Sequence, residues 1–229
     1  MEFTKLSNRL DLVASFVPAG ARLLDVGSDH AYLPIALLQE GKIEAAIAGE
    51  VVEGPYQSAL QNVTDNGLED KIEVRLANGL AAFEPTDGIS CITIAGMGGR
   101  LIADILAAGL EKLASVSRLV LQPNNREDEL RAWLVDNDFR IVDEAILEEN
   151  EKFYEILVVE QGYQELSAKE LRFGPYLMQE QAPAFVQKWS KEVEKLAFAL
   201  EQVPVENQSA RASLEERIAH IKEVLNASK

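Results

Sequence analysis

Asp25-Val26-Gly27-Ser28-Asp29-His30-Ala31-Tyr32 is the stretch whose residue types bear most directly on chemistry. It follows the apolar run 21–24 and leads into a helical pattern that begins near Leu33. A strand, a turn at glycine and a helix make a cradle for a nucleotide-type ligand. Glycine lets the backbone come close, and the helix start offers free N–H groups and a partial positive charge. An acidic residue at the strand's end would repel a phosphate. Asp25 suits a ligand that carries an amino group and a positive charge, and S-adenosylmethionine is such a molecule.

Further candidates sit where other apolar runs end, which is where open α/β sheets place their ligands. Glu50 falls about 23 residues after Gly27, near the separation at which an acidic side chain accepts hydrogen bonds from ribose hydroxyls. Val51 follows it directly. Asn78-Gly79 ends the next run; the asparagine either pairs with an adenine edge or caps a short helix. Ala95-Gly96-Met97-Gly98-Gly99 ends the fourth, and Gln122-Pro123-Asn124-Asn125 the fifth. A dehydrogenase-type pyrophosphate site is disfavoured, because Asp29 and Ala31 stand where glycines would be needed.

The elements that must position these residues alternate. Strands are expected at 22–26, 43–50, 72–77, 89–95 and 117–122, and helices at 4–17, 32–40, 53–66, 98–114 and 125–137. Two more strand-like runs, 139–147 and 153–160, have no helix between them and read as an antiparallel hairpin. Alternation implies a mostly parallel sheet covered on both faces. Five parallel strands closed by a hairpin are the Rossmann-like architecture of class I methyltransferases. Past residue 162 the pattern changes. Ala182, Phe185, Trp189, Val193, Leu196, Leu200 and Val203 recur at steps of 3 or 4, and Leu214, Ile218, Ile221 and Leu225 repeat the seam. These call for a C-terminal coiled-coil helical hairpin over 163–229, appended to an α/β domain over 1–162.

Composition narrows the class. Of 229 residues 47% are hydrophobic, and no apolar stretch approaches the ~20 residues of a membrane span. The amino terminus lacks a basic segment followed by an apolar one, so no signal peptide is read there and a cytoplasmic location is expected. One cysteine, Cys91, and two histidines, His30 and His220, exclude a disulfide framework and make a transition-metal site unexpected. The net charge of −16 argues against wholesale binding of a polyanion. From residue 161 onward, however, 9 basic residues nearly balance 10 acidic ones.

Leu6-Ser7-Asn8-Arg9-Leu10, the loop from Asp25 to Pro34, Ala95-Gly96-Met97-Gly98-Gly99 and Gln122-Pro123-Asn124-Asn125 resemble the bacterial tRNA adenine-N1 methyltransferases of the TrmK type. The resemblance spans the chain. It implies a class I fold, S-adenosylmethionine as methyl donor and tRNA as acceptor, with the target adenine at position 22 in the D arm. Asp25-x-Gly27-x-Asp29-x-Ala31 departs from the superfamily's Asp/Glu-x-Gly-x-Gly-x-Gly and matches the narrower family. The Asn/Asp-Pro-Pro-aromatic motif of adenine-N6 enzymes is missing.

Adenine N1 carries a free lone pair, so methyl transfer needs positioning more than acid–base work. A carboxylate on the N6 amino group would orient the base and stabilise the cationic product. Asp29 is the candidate for this catalytic role; its alternative is to cap the following helix. Arg9 reaches either the cofactor carboxylate or an RNA phosphate, or lies on the open surface. Ser28, His30, Ala95, Gly96 and Met97 complete the expected cofactor shell, with Asp25, Gly27, Glu50, Val51, Asn78 and Gly79. Tyr32 stacks on the base or joins the core, and Asn124 faces the acceptor. RNA grip falls to Arg100, Arg126, Arg131, Lys188, Lys191 and Lys195, the last three sharing a helix face. A monomer is favoured. The competing readings are a methyltransferase of small molecules or proteins, and a non-catalytic cofactor-binding scaffold.

Overall fold

Nearly continuous apolar runs in the first five strands demand cover on both faces, and the chain supplies it by alternating strand with helix. The computed structural model describes residues 4–227. In order come α1 (Asn8–Phe16), β1 (Ala21–Val26), α2 (Tyr32–Gln39), β2 (Ile43–Glu50), α3 (Glu53–Asp65), β3 (Ile72–Leu76), β4 (Cys91–Met97), α4 (Gly99–Ala108), β5 (Arg118–Pro123) and α5 (Glu127–Asp136). The long hairpin β6 (Phe139–Glu149) and β7 (Lys152–Gln161) follows. The helix expected over 98–114 stops earlier: Gly109 ends α4, and Leu110–Ser115 tightens into a 3-10 segment.

One seven-stranded sheet results, ordered β3-β2-β1-β4-β5-β7-β6. The first five strands are parallel, and β7 inserts antiparallel beside β5. Asn150 and Glu151, both at positive φ, form the two-residue turn that forces β6 and β7 to run antiparallel. The strand order reverses between β1 and β4, so the crevice for a ligand opens at their carboxyl ends. Leu24, Ile92, Ile94, Ile102, Leu106 and Leu121 fill one side of the sheet, and Val13, Leu23, Leu37, Ala48, Cys91 and Val120 the other. Burial pushes the Cys91 thiol up to about 12, which leaves it a packing residue with no nucleophilic thiolate at neutral pH.

A third apolar cluster belongs to the C-terminal helices α6 (Ala168–Phe173), α7 (Leu177–Glu180), α8 (Pro183–Gln202) and α9 (Gln208–Asn226). The expected seam is buried at Phe185, Trp189, Leu196 and Ile221; on the last helix Val224 is buried where Leu225 was expected, and Leu225 is only partly so. Two short helices not read from the sequence, α6 and α7, pack Phe173 and Leu177 against it, and Ile146 of β6 joins from the sheet. The helical pair therefore leans on the β6–β7 hairpin. Beneath it lies a charge network. Arg131 of α5, wholly buried, donates to Glu144 of β6 and Glu155 of β7 at 2.8 and 2.5 Å, and Lys188 of α8 donates to Glu155 and Glu127 at 2.7 and 3.1 Å.

At the other edge Arg75 of β3 grips Asp87 through two nitrogens at 2.6 and 3.0 Å. This holds the Asp87 carboxyl at about 2, below its ordinary 3.8. A depressed carboxyl stabilises the fold above the ordinary value and loses that contribution as pH falls through the depressed one. Asp87→Asn is expected to cost about 2 kcal/mol at neutral pH. In urea titrations the gap to the parent chain should close between about pH 4 and pH 2.

Candidate active site

The loop after β1 is bent in a way L-residues resist. Gly27 has φ 65°, and Asp29, His30 and Ala31 follow at 43°, 69° and 59°. Each non-glycine residue there costs on the order of 1 kcal/mol, so the loop needs anchors. Gly27 N and Ser28 N both donate to Gly49 O, Asp29 N donates to Glu50 Oε1 at 2.6 Å, and Asn62 Nδ2 of α3 donates to His30 O at 3.0 Å. Gly27 has a second constraint. A Cβ built on it would lie 2.4 Å from Met97 Cε, so the tip of the Met97 side chain rests against the glycine there.

Asp25, expected beside the cofactor, is turned into the fold. Its oxygens accept from Ser28 Oγ and Thr93 Oγ1, each at 2.6 Å, and the group is buried. Burial raises its pKa. It acts on the crevice by holding the loop, and Ser28 is likewise buried as its partner. Glu50 differs. One oxygen holds Asp29 N; for the other, no hydrogen-bond partner occurs among the described residues. Burial, then the nearby Asp25 and Asp29 carboxylates, push its pKa up against the Asp29 backbone bond. A buried acceptor with spare capacity at the end of β2 suits a pair of hydroxyl donors. Val51 and Asn78 lie exposed at the rims of β2 and β3, and Asn78 makes no capping bond to the short helix that Gly79 opens. Gly-lined access, a free carboxylate oxygen and uncommitted amide and apolar rims fit an adenosyl group.

Across the crevice, the loops after β4 and β5 are stitched together. Buried Gln122 accepts from Arg9 Nη1 at 2.6 Å and from Gly96 N at 3.0 Å, and its amide donates to Asn124 Oδ1. Asn124 Nδ2 returns a bond to Gly96 O at 2.7 Å, and Asn124 N donates to Met97 O. Ala95, Gly96 and Met97 thus lie beside Arg9, whose guanidinium sits 5.5 Å from the centre of the Tyr154 ring. Asp29 does not cap α2, since Ala31 occupies the cap position without a side-chain bond. Its side chain is 84% exposed, with His30 Nε2 3.5 Å away. His30 in turn stacks on half-exposed Tyr32, ring centres 5.4 Å apart.

Two expected RNA contacts are spent elsewhere. Arg131 is inside the protein, and Lys188 is held by Glu155 and Glu127. Arg126 pairs with Glu129 on the surface, and Lys191 with Glu148. Lys195 and Arg100 remain exposed. Asn62, Thr93 and Tyr154 were not singled out in the sequence. Asn62 and Thr93 lie inside a helix and an apolar strand and carry no local signal. A hollow of about 430 Å³ between α3, β2 and β3 shares no residue with this site.

The sequence model of the TrmK family, tRNA (adenine(22)-N(1))-methyltransferase, matches residues 23–223. The Bacillus subtilis tRNA (adenine(22)-N(1))-methyltransferase is 41% identical over 238 residues, covering 99% of each chain. A Streptococcus pneumoniae candidate tRNA (m1A22) methyltransferase is 67% identical with a TM-score of 0.95, covering 97% of this chain and 100% of its own. Its complex with S-adenosyl-L-methionine superposes with a TM-score of 0.90 at 66% identity over the same shares. The strained loop, its glutamate anchor and the stitched ends of β4 and β5 are therefore features of a chain that belongs to the TrmK family of tRNA (adenine(22)-N(1))-methyltransferases.

Proposed function

We infer that the protein methylates N1 of adenine 22 in the D arm of tRNA, using S-adenosylmethionine. The observation that carries the chemistry is the cradle at the switch point: a left-handed loop pinned to Glu50, facing loops built from Gly96 and Asn124. In this reading Glu50 receives the ribose hydroxyls, Gly27 and Gly79 admit the backbone side of the ligand, and Val51 and Asn78 flank the adenine. Met97, Ala95 and Gly96 border the methionine end, with Arg9 available to its carboxylate. Bound there, the cofactor supplies a methyl carbon activated by its sulfonium.

The protein's own task is to expose the adenine edge, orient it and exclude water. Asp29 is placed for this by a backbone bond that leaves its carboxylate free. It would accept from the N6 amino group, holding N1 toward the crevice and balancing the charge that develops on the ring. The His30–Tyr32 stack beside it offers the base an aromatic surface. Asp29→Asn keeps the loop's backbone bond, so cofactor affinity should stay within about twofold while turnover falls about 100-fold. Lost cofactor affinity with normal turnover in calorimetry and steady-state assays would remove Asp29 from this role.

Residues 1–162 carry the chemistry in this reading and 163–229 the appended helices, with a monomer as the working unit and the cytoplasm as its place. Among the described residues no helix is long and apolar enough to cross a membrane. Incubation with labelled cofactor and unmodified tRNA, followed by nucleoside mapping, tests the assignment. Label confined to small metabolites or protein would overturn it, as would cofactor binding with no acceptor at all.

A further inference from the structure

A groove of about 700 Å³ runs from Asn124 and Asn125 at the end of β5, past the tip of the β6–β7 hairpin, to the face of α8. It begins at Asn124, whose amide is bonded to Gly96 of the crevice, so it opens beside the cradle described above. Four carboxylates line it, Glu127, Asp128, Glu151 and Glu192, of which Glu127 is paired with Lys188 and Glu192 with Arg217; beside them stand two kinds of group that favour RNA. The hairpin presents Phe153 and Tyr154, successive strand residues that point to opposite faces, and both are half-buried. Each ring already carries a cation, Lys191 at 4.8 Å from the Phe153 centre and Arg9 at 5.5 Å from that of Tyr154. The second kind is charge without a carboxylate partner. Lys152, Arg172 and Lys195 line the groove and make no ion pair among the described residues, whereas Lys188 and Lys191 are neutralised there. Rings at the mouth and unpaired cations along the wall are what a single RNA strand needs, stacked bases on one side and phosphates on the other.

We propose that this groove binds the RNA strand adjoining the target adenine, with Phe153 as a base-stacking platform and Lys152 and Lys195 as phosphate contacts. The proposal rests on the tRNA-methylating function inferred above and adds the path of the strand. Opening a paired adenine requires such a hold on its neighbours, since the unstacked flanks must be kept from closing again. Neither lysine supports the fold: both are exposed.

Three variants test this in the full-length protein with unmodified tRNA transcript. Lys152→Ala with Lys195→Ala should reduce the slope of log affinity against log salt by about 1.4, roughly 0.7 for each phosphate contact on a single strand, while the dissociation constant for S-adenosylmethionine stays unchanged. Phe153→Ala should lower kcat/KM for tRNA about 5- to 100-fold, and Phe153→Tyr should restore it. If the parent chain methylates tRNA and all variants match it in salt slope and kcat/KM, the groove is not the strand's path, although the function stands. A parent chain that neither binds nor methylates tRNA overturns both. A purified protein partner whose binding is lost in these variants while tRNA methylation is kept would also overturn the proposal.

Discussion

Arg131→Ala is expected to destabilise the protein by about 3–5 kcal/mol, a large share of the 5–15 kcal/mol that holds a typical domain together. The reason is the arrangement around the guanidinium. Its Nε faces Glu144, Nη2 faces Glu155, and Nη1 donates to Leu171 O of α6 at 3.2 Å. Glu144 Oε2 also accepts from Tyr176 N at 2.9 Å, just before α7. Gly174, at φ 84°, permits this closeness: a Cβ there would fall 2.7 Å from Glu144 Oε2 and 2.8 Å from Arg131 Nη2. One side chain thus joins α5, the closing hairpin and the C-terminal helices. Removing it leaves buried Glu144 with backbone donors only and buried Glu155 with Lys188 alone. The balance around them is already uneven: burial raises Glu144 despite Arg131, whereas at Glu155 the Arg131 and Lys188 charges outweigh burial and lower it. Without the guanidinium both carboxyls rise. A group raised in the folded state gives up stability as pH increases, so the deficit of Arg131→Ala should grow from pH 5 to pH 8. Urea unfolding across that range checks the sign. A loss under about 1 kcal/mol would mean that water already reaches the cluster.

Strand ends and chain order were legible because they depend on local signals. Alternating apolar runs and turns at Gly27, Gly79 and Gly96 mark where the crevice must lie. Glu50 could be named from spacing alone, because parallel strand–helix units hold the distance between successive strand ends nearly constant. What escaped depends on contacts distant in sequence. Asn62 earns its place 32 residues from His30, and Gln122 joins Arg9 across 113 residues. The inward turn of Asp25 was hidden for a related reason: the partner that holds its carboxylate is Thr93, on a strand 68 residues away. The lysine stripe on α8 shows the limit of periodicity. Spacing put Lys188, Lys191 and Lys195 on one face, but which of them meets solvent was decided by Glu127, Glu148 and Glu155 on the body beneath. α6 and α7 were missed because a six-residue and a four-residue helix carry too few turns for a periodic signal. The capping box of Ser167 with Glu170 was the one local mark available.

Glu50→Ala is expected to weaken S-adenosylmethionine binding by at least about 100-fold, the loss of two hydrogen bonds to a charged acceptor at roughly 1.5–3 kcal/mol each. Asp29 N would also lose its partner, and three left-handed residues in succession would then lack their shortest tie to the sheet. Glu50→Gln separates these effects. The amide oxygen still accepts from Asp29 N, so the loop stays formed, while the charge and one acceptor disappear. Its binding should be intermediate. The two roles of Glu50 also respond to pH in opposite directions. Burial raises the carboxyl in the ligand-free fold, so its ionisation costs stability as pH rises. The ionised form, however, is the one with acceptors free for two hydroxyls. Parent affinity should therefore fall on acidification, at a less acidic pH than an ordinary carboxylate would give, and the Glu50→Gln curve should be flat there. Ligand-free Glu50→Gln should melt higher than the parent at pH 8, a stability gained at the expense of binding. Calorimetry and thermal melts on the same three proteins read both. Equal affinity for parent and Glu50→Ala at neutral pH would place the ribose elsewhere in the crevice.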